Sequence, residues 1–151
     1  MRKAVRAIII KDNQLLVMHR NKFGTEYDTL PGGNIEMGET PEQALYREVQ
    51  EETMIVFANP RLVFIEHADS MYGDQYIFVG EYQSGEPQLH PESEEIHINK
   101  LGQNLFNPRW MPLNQLPDAP FLSKELKDII LNALRDGWPQ EPKEFTSTSK
   151  I

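Results

Sequence analysis

The stretch Gly33–Ile55, GNIEMGETPEQALYREVQEETMI, decides how this chain is read. Most of it is the clearest helix in the sequence. Thr40 suits an N-cap, Pro41 suits the first helical position, and Gln43 completes a capping box with Thr40. Leu45 and Val49 lie four apart and can face a core. The pattern therefore predicts a helix over Thr40–Thr53. Glu48, Glu51 and Glu52 stand on it at i, i+3 and i+4. Their heads span about 100° of the helix surface and can converge on one point. They repel one another there, and they sit toward the negative end of the helix dipole. A bound Mg²⁺ or Mn²⁺ relieves that repulsion, since oxygen donors suit these ions. An acidic run on a helix is ordinarily a solvated face, and Arg47 can pair with Glu51 as a plain i,i+4 contact. The segment just upstream shifts that balance. Gly32-Gly33 lets the backbone approach a ligand closely, aiming a carbonyl at a metal or amides at a phosphate.

Gly33, then five residues, Glu39, then seven residues, then Arg47-Glu48-Val49-Gln50-Glu51-Glu52 resembles the Nudix box of the Nudix (MutT-like) hydrolases. Every specified position matches except one, where Met54 stands in place of a glycine that would normally supply a left-handed helix end. Leu30-Pro31-Gly32 also looks like that family's approach to the box. The resemblance implies an α/β/α sandwich around a mixed β-sheet. It implies hydrolysis of the diphosphate linkage in a nucleoside diphosphate derivative, by water attack on phosphorus. Glu48, Glu51 and Glu52 match the metal-binding glutamates, and the Gly33 carbonyl matches a further ligand. Glu39 and Arg47 match the pair that holds the loop against the helix and orients the ligands. Glu52 is the first choice for activating water, with Glu51 sharing metal ligation. Some members of the family recruit the base from a distant loop, for which Glu92, Glu94 and Glu95 are available; a solvated charge run is their plainer reading.

Outward from the box, Val5–Ile10 and Gln14–Arg20 read as a strand hairpin around the turn residues Lys11-Asp12-Asn13. Asn21–Thr29 is polar and reads as irregular. Arg61–His67 and Gln75–Tyr82 read as strands, Ser84–Gly102 as an exposed acidic loop, and Arg109–Leu113 as a short segment. Ser123–Arg135 is a second amphipathic helix, with Leu126, Ile129, Ile130 and Leu134 at helical spacing. Local signals alone leave the class between α/β and α+β. The organisation expected is a hydrolase domain over 1–138 and a loose polar tail over 139–151. Arg20, ending a strand, can meet a phosphate bidentately or be an ordinary surface arginine. Tyr27, Phe106 and Trp110 can stack on a base, or simply pack in a core.

Composition narrows the functions. A formal net charge of −8 offers no basic face for nucleic acid. An acidic protein working on phosphate needs a cationic intermediary. The absence of cysteine excludes disulfides, thiolate metal sites and a cysteine acid/base, and with the last the related prenyl diphosphate isomerases. No stretch approaches a membrane span, and the apolar run after Met-Arg-Lys is too short for a signal peptide. The expectation is a cytoplasmic protein acting on a small nucleotide-like diphosphate, with no nucleic acid or membrane partner. Homodimers are common among the proteins it resembles, though no residue here demonstrates one. The alternative is a Nudix-fold module that senses a nucleotide without cutting it. Loss of activity should erode the glutamates, and all of them are present.

Overall fold

The structure, a computed structural model, describes residues 2–69 and 71–148. Met1 and the last three residues of the expected tail lie outside the described residues. In chain order the strands and helices are β1 (Lys3–Lys11), β2 (Gln14–Lys22), β3 (Thr25–Thr29), β4 (Gly32–Asn34), α1 (Pro41–Thr53), β5 (Val56–His67), β6 (Asp74–Ser84), α2 (Glu94–Lys100), β7 (Asn104–Pro112), a 3₁₀ turn (Leu113–Asp118), α3 (Lys124–Asp136) and β8 (Lys143–Thr146).

One mixed sheet holds all the strands, in the order β3-β2-β1-β6-β5-β8, with β4 added to β1 and β7 to β2. The pairs β1–β6 and β5–β8 are parallel, and the others are antiparallel. Asp12 and Asn13 both take positive φ, 50° and 60°, as a two-residue type I′ hairpin turn demands. The β1–β2 hairpin stays paired only at Ile10↔Leu15 and Lys11↔Gln14. Beyond that the two strands separate. β4 then pairs with β1 at Ala4–Arg6, and β3 pairs with β2 at Met18–Lys22. This opening in the sheet brings Arg6, Arg20 and Gly32 to one side of α1.

Alternation along β1 explains the layers. Val5, Ala7 and Ile9 pack with Ala44, Leu45 and Val49 of α1, while Ile8 packs in a second core with Leu126 and Ile130 of α3. The sheet thus lies between α1 and α3 in the expected α/β/α sandwich. Both long helices begin as the sequence predicts. Thr40 Oγ1 accepts from the Gln43 N–H at 3.1 Å and Gln43 Oε1 accepts from the Thr40 N–H at 2.9 Å. Ser123 Oγ accepts from the Leu126 N–H at 3.1 Å.

Four readings change. Asn21–Thr29 is not irregular throughout: it supplies β3, whose Tyr27 and Asp28 are buried against β2, so partner strands rather than local composition make it a strand. The acidic loop contains α2, which has no buried residue and so no apolar stripe to announce it. The short segment at Arg109 is the end of the nine-residue β7, paired along the whole of β2. The tail is not loose over 143–146, where β8 pairs with Phe64–His67 of β5; Phe145 meets Phe64 edge-on at 6.4 Å.

Candidate active site

Two glycines fix how closely β4 can approach its neighbours. A Cβ on Gly32, whose φ is +151°, would lie 1.9 Å from the Val5 carbonyl oxygen. A Cβ on Gly33 would lie 2.6 Å from the Glu48 carboxyl. Side chains at these positions would push the strand off β1 and the helix carboxylate off the strand. With glycine at both, the Gly32 N–H donates to Glu52 Oε1 at 2.8 Å.

Arg47 organises the loop between β4 and α1. Its Nε and one terminal nitrogen donate to the two oxygens of Glu39 at 2.7 and 2.9 Å, a bidentate pair. Its guanidinium also reaches the Asn34 carbonyl at 3.0 Å and Glu48 Oε1 at 2.9 Å. The i,i+4 contact to Glu51 exists too, at 3.5 Å, but is one spoke of a larger hub. Hydrogen bonds from Arg47 and from the Glu36 amide hold Glu39 down to a pKa of about 2. Arg47 is raised by the same partner.

The three box glutamates occupy different environments. Glu52 is 6% exposed, and burial pushes its pKa up to about 8, although the Gly32 amide pulls the other way. Burial also raises Glu48, against the pull of Arg47. The Glu51 side chain is 43% exposed. Among the described residues, no three carboxylate, imidazole or thiol groups stand close enough to form a finished metal cage. The donor chemistry nonetheless suits a hard divalent cation. The carboxylates are all oxygen donors, and two of them are buried beyond what Arg47 and one amide offset.

All three glutamates line one cleft of about 670 Å³. Arginines line the same cleft. Arg20 lies in it, 3.6 Å over the Phe106 ring, with Nε donating to the Leu105 carbonyl at 3.2 Å and a terminal nitrogen to Asn104 Oδ1. Arg6 donates to Gln75 Oε1 at 3.0 Å and to the Leu30 carbonyl at 3.2 Å. Of the aromatics considered for stacking, Phe106 lines the cleft under Arg20, Tyr27 is buried, and Trp110 packs edge-on against Tyr82 at 5.6 Å. α2 borders the cleft, and Glu92, Glu94 and Glu95 line it; Glu92 and Glu94 are also exposed to solvent, as members of a charged run are, and Glu95 is half-buried.

The carboxylates of α1, Arg6, Arg20 and the Gly32-Gly33 strand thus share one cleft. The NUDIX domain family matches residues 1–132. The chain belongs to the NUDIX family. An ADP-ribose pyrophosphatase from Methanocaldococcus jannaschii is 47% identical over 115 residues, 69% of this chain and 66% of that protein. A NAD-capped RNA hydrolase NudC from Photorhabdus laumondii is 33% identical over 109 residues, 72% of this chain. The match spans only 38% of that relative's length. Among solved structures, a NUDIX hydrolase from Nitrosomonas europaea superposes with a TM-score of 0.68 over 96% of this chain and 78% of its own, at 18% identity. A MutT protein from Bacillus halodurans gives 0.64 over 98% and 88%, at 20% identity. At such identities these two speak for the fold alone.

Within this NUDIX chain, sequence reasoning missed Arg6, which sits mid-strand in an apolar run and shows its role only once β4 and β6 flank it. It also missed Asn104, whose contact with Arg20 spans 84 residues of sequence. The αL conformation of Met54, φ 57°, keeps the helix end that a glycine would have made; the Met54 N–H donates to the Gln50 carbonyl at 3.1 Å.

Proposed function

We propose that the protein is a metal-dependent pyrophosphohydrolase that cleaves the diphosphate linkage of a nucleoside diphosphate derivative. The observation that carries this reading is one cleft lined both by the carboxylates of α1 and by Arg6 and Arg20. Glu48, Glu51, Glu52 and the Gly33 carbonyl would hold Mg²⁺ or Mn²⁺. When bound, that ion neutralises phosphate oxygens and acidifies a water. Arg20, held over the Phe106 ring and braced by Asn104, presents its remaining donors to a phosphate. Glu52, buried and with a raised pKa, accepts the proton of the attacking water. Glu39 and Arg47 orient the carboxylates through the bidentate pair. Glu95, which raises the pKa of both Glu48 and Glu52 by its charge, is the α2 carboxylate placed to share in ligation.

Beyond Arg6 the cleft adjoins a smaller cavity of about 50 Å³, walled by Leu30, Leu126 and the polar groups of Glu66, Gln75 and Ser123. At that size it has room for small groups only, well short of the roughly 300 Å³ or more of a nucleotide pocket. The M. jannaschii relative named as an ADP-ribose pyrophosphatase favours a small nucleotide derivative as substrate, and we place its hydrolysis in the cytoplasm. Among the described residues no helix is long and apolar enough to cross a membrane. Relatives named as NAD-capped RNA hydrolases raise a second reading, the same linkage carried on an RNA end.

A substrate panel tests this. With Mg²⁺, ADP-ribose, NAD, nucleoside triphosphates, sugar nucleotides, dinucleoside polyphosphates and an NAD-capped RNA are followed for release of the cleaved phosphates. At least one is expected to turn over with Mg²⁺ or Mn²⁺ and none in excess chelator. Undiminished turnover in chelator would sink the metal mechanism. Binding without turnover across the panel would make the protein a nucleotide-sensing module.

A further inference from the structure

The arginines around this cleft are held in two different ways. Arg47 stands within 4.0 Å of the carboxylates of Glu36, Glu39, Glu48 and Glu51, so its charge is neutralised inside the protein. Arg6 and Arg20 line the cleft, and among the described residues neither forms an ion pair. Each is held instead by one backbone carbonyl and one side-chain amide. Arg6 Nε donates to Gln75 Oε1 at 3.0 Å, and a terminal nitrogen donates to the Leu30 carbonyl at 3.2 Å. Arg20 uses the Leu105 carbonyl and Asn104 Oδ1 in the same way. Neutral acceptors fix a guanidinium without cancelling its charge. A cation fixed like this remains available to an anion from outside the protein.

Of the two amides, Gln75 on β6 is the more deeply placed, at 5% exposed. Its amide nitrogen donates to the Tyr72 carbonyl at 2.6 Å, and that acceptor leaves the oxygen end for Arg6. A glutamate at this position would pair more strongly with Arg6, but it would lack the donor for Tyr72 and would neutralise the arginine. The carboxylate opposite Gln75 on β5, that of Glu66, is engaged by Ser123 rather than by Arg6: the Ser123 hydroxyl donates to Glu66 Oε2 at 2.5 Å. Arg6 is in turn paired with Gly32 across β1 and β4, and the Gly32 N–H is the donor that holds Glu52. The braced cation and the buried carboxylate of α1 are thus tied to the same short strand.

We propose that Gln75 is a positioning residue for the reaction: it holds the Arg6 guanidinium in the cleft with its charge intact, so that Arg6 pairs with a phosphate of the substrate. This rests on the diphosphate reading of the cleft given above. Gln75 touches no substrate and acts through Arg6.

The test is calorimetric titration with α,β-methylene-ADP in Mg²⁺, and with Mn²⁺ alone, of the parent, Gln75→Glu, Gln75→Met, Arg6→Gln and the double variant Arg6→Gln with Gln75→Met. Gln75→Glu keeps the acceptor for Arg6 and adds a charge, whereas Gln75→Met keeps the size and removes the acceptor. Either should weaken binding of the analogue about tenfold (~1.4 kcal/mol) without weakening Mn²⁺ binding. In the Arg6→Gln background, itself weakened, Gln75→Met should change the affinity by about twofold or less, because the two residues act as one unit. Gln75→Glu binding the analogue as tightly as the parent would show that the brace serves only the fold, and would overturn the proposal. So would a loss from Gln75→Met that is the same with and without Arg6, or Arg6→Gln binding like the parent. If Gln75→Met lacks a cooperative melt, Gln75→Glu takes its place in the double variant, with the same expected and overturning results. A parent that binds neither α,β-methylene-ADP nor inorganic pyrophosphate would overturn the diphosphate reading and this proposal together; a parent that binds, with Arg6→Gln or Gln75→Glu binding equally, overturns the proposal alone.

Discussion

α1 and α2 face the same cleft, yet they are built on opposite principles. α1 carries its own instructions: a capping box, a proline in its first turn and an apolar stripe formed by Ala44, Leu45 and Val49. α2 has seven residues, none buried, and its N-cap serine makes no capping bond. What steadies it is remote. The Asn99 side chain donates to the Phe106 carbonyl at 2.9 Å and accepts from the Phe106 amide at 2.8 Å, tying the helix to β7. A helix specified locally can carry mutually repelling carboxylates, because its stability does not depend on them. A helix specified by its surroundings can be positioned by the site it serves. The comparison assigns the principal chemistry to α1 and adjustment of the site to α2.

The largest effect that could break this division is catalytic. Glu52→Gln keeps the shape and removes charge and basicity, so the rate should fall roughly 10²-fold or more, the scale of a positioned base. Glu95→Gln on α2 should cost about tenfold or less. Steady-state rates on the best substrate of the panel decide it, and a larger loss at Glu95 would transfer the central role to α2.

Stability against pH comes next. Folded Glu52 holds its proton to about pH 8, whereas an unfolded glutamate releases it near pH 4.5. Between those values the folded state binds more protons, so metal-free stability falls as pH rises from about 4.5 to about 8. The loss should be on the order of 2 kcal/mol or more. Chemical denaturation across that range should show the slope in the parent. It should flatten in Glu52→Gln, and saturating Mg²⁺ should reduce it in the parent by favouring the ionised form. A parent whose metal-free stability is flat over this range would mean that Glu52 is not held protonated in the apo fold.

The two N-caps give a smaller contrast. Thr40→Ala removes half of the capping box and should cost about 1 kcal/mol. Ser93→Ala should cost nothing in the same denaturation assay. Equal losses would erase the distinction between a self-capped helix and one held from outside. Smallest of all, Met54→Gly should stabilise the protein by about 0.5 kcal/mol. It relieves a left-handed methionine, partly offset by the greater freedom of glycine in the unfolded chain. A lower denaturation midpoint in the variant would show that Met54, through its contact with the Gln88 side chain at 3.4 Å, supports the turn after α1.

What the sequence disclosed follows from the same contrast. Thr40, Pro41, Gln43 and the spacing of Glu48, Glu51 and Glu52 act within a few residues of one another, so they could be read directly. β3 and β8 could not. Their residues are polar, and they are strands because β2 and β5 offer them edges. The bidentate grip of Arg47 on Glu39 is legible only through the family resemblance, since seven residues of loop and helix separate the two. The cleft arginines were half visible. Arg20 was singled out for its place at a strand end, but Arg6 lies inside an apolar strand and is turned to the cleft by the separation of β1 from β2. Long-range pairing makes such positions, and no local period records it.

The far edge of the sheet carries a different lesson. β8 covers β5 only from Phe64 to His67. Among the described residues, no strand pairs with the outer side of Val56–Val63. Such an exposed edge is where a second chain could add a strand and begin an aggregate. Here the edge is interrupted by Asn59, whose φ is 52°, and by Pro60, which has no N–H to offer. The β5–β6 register slips between Ala58 and Arg61 at the same place. The bulge that looks like a flaw in β5 makes this edge a poor template, although eight residues of a twelve-residue strand lack an outer partner.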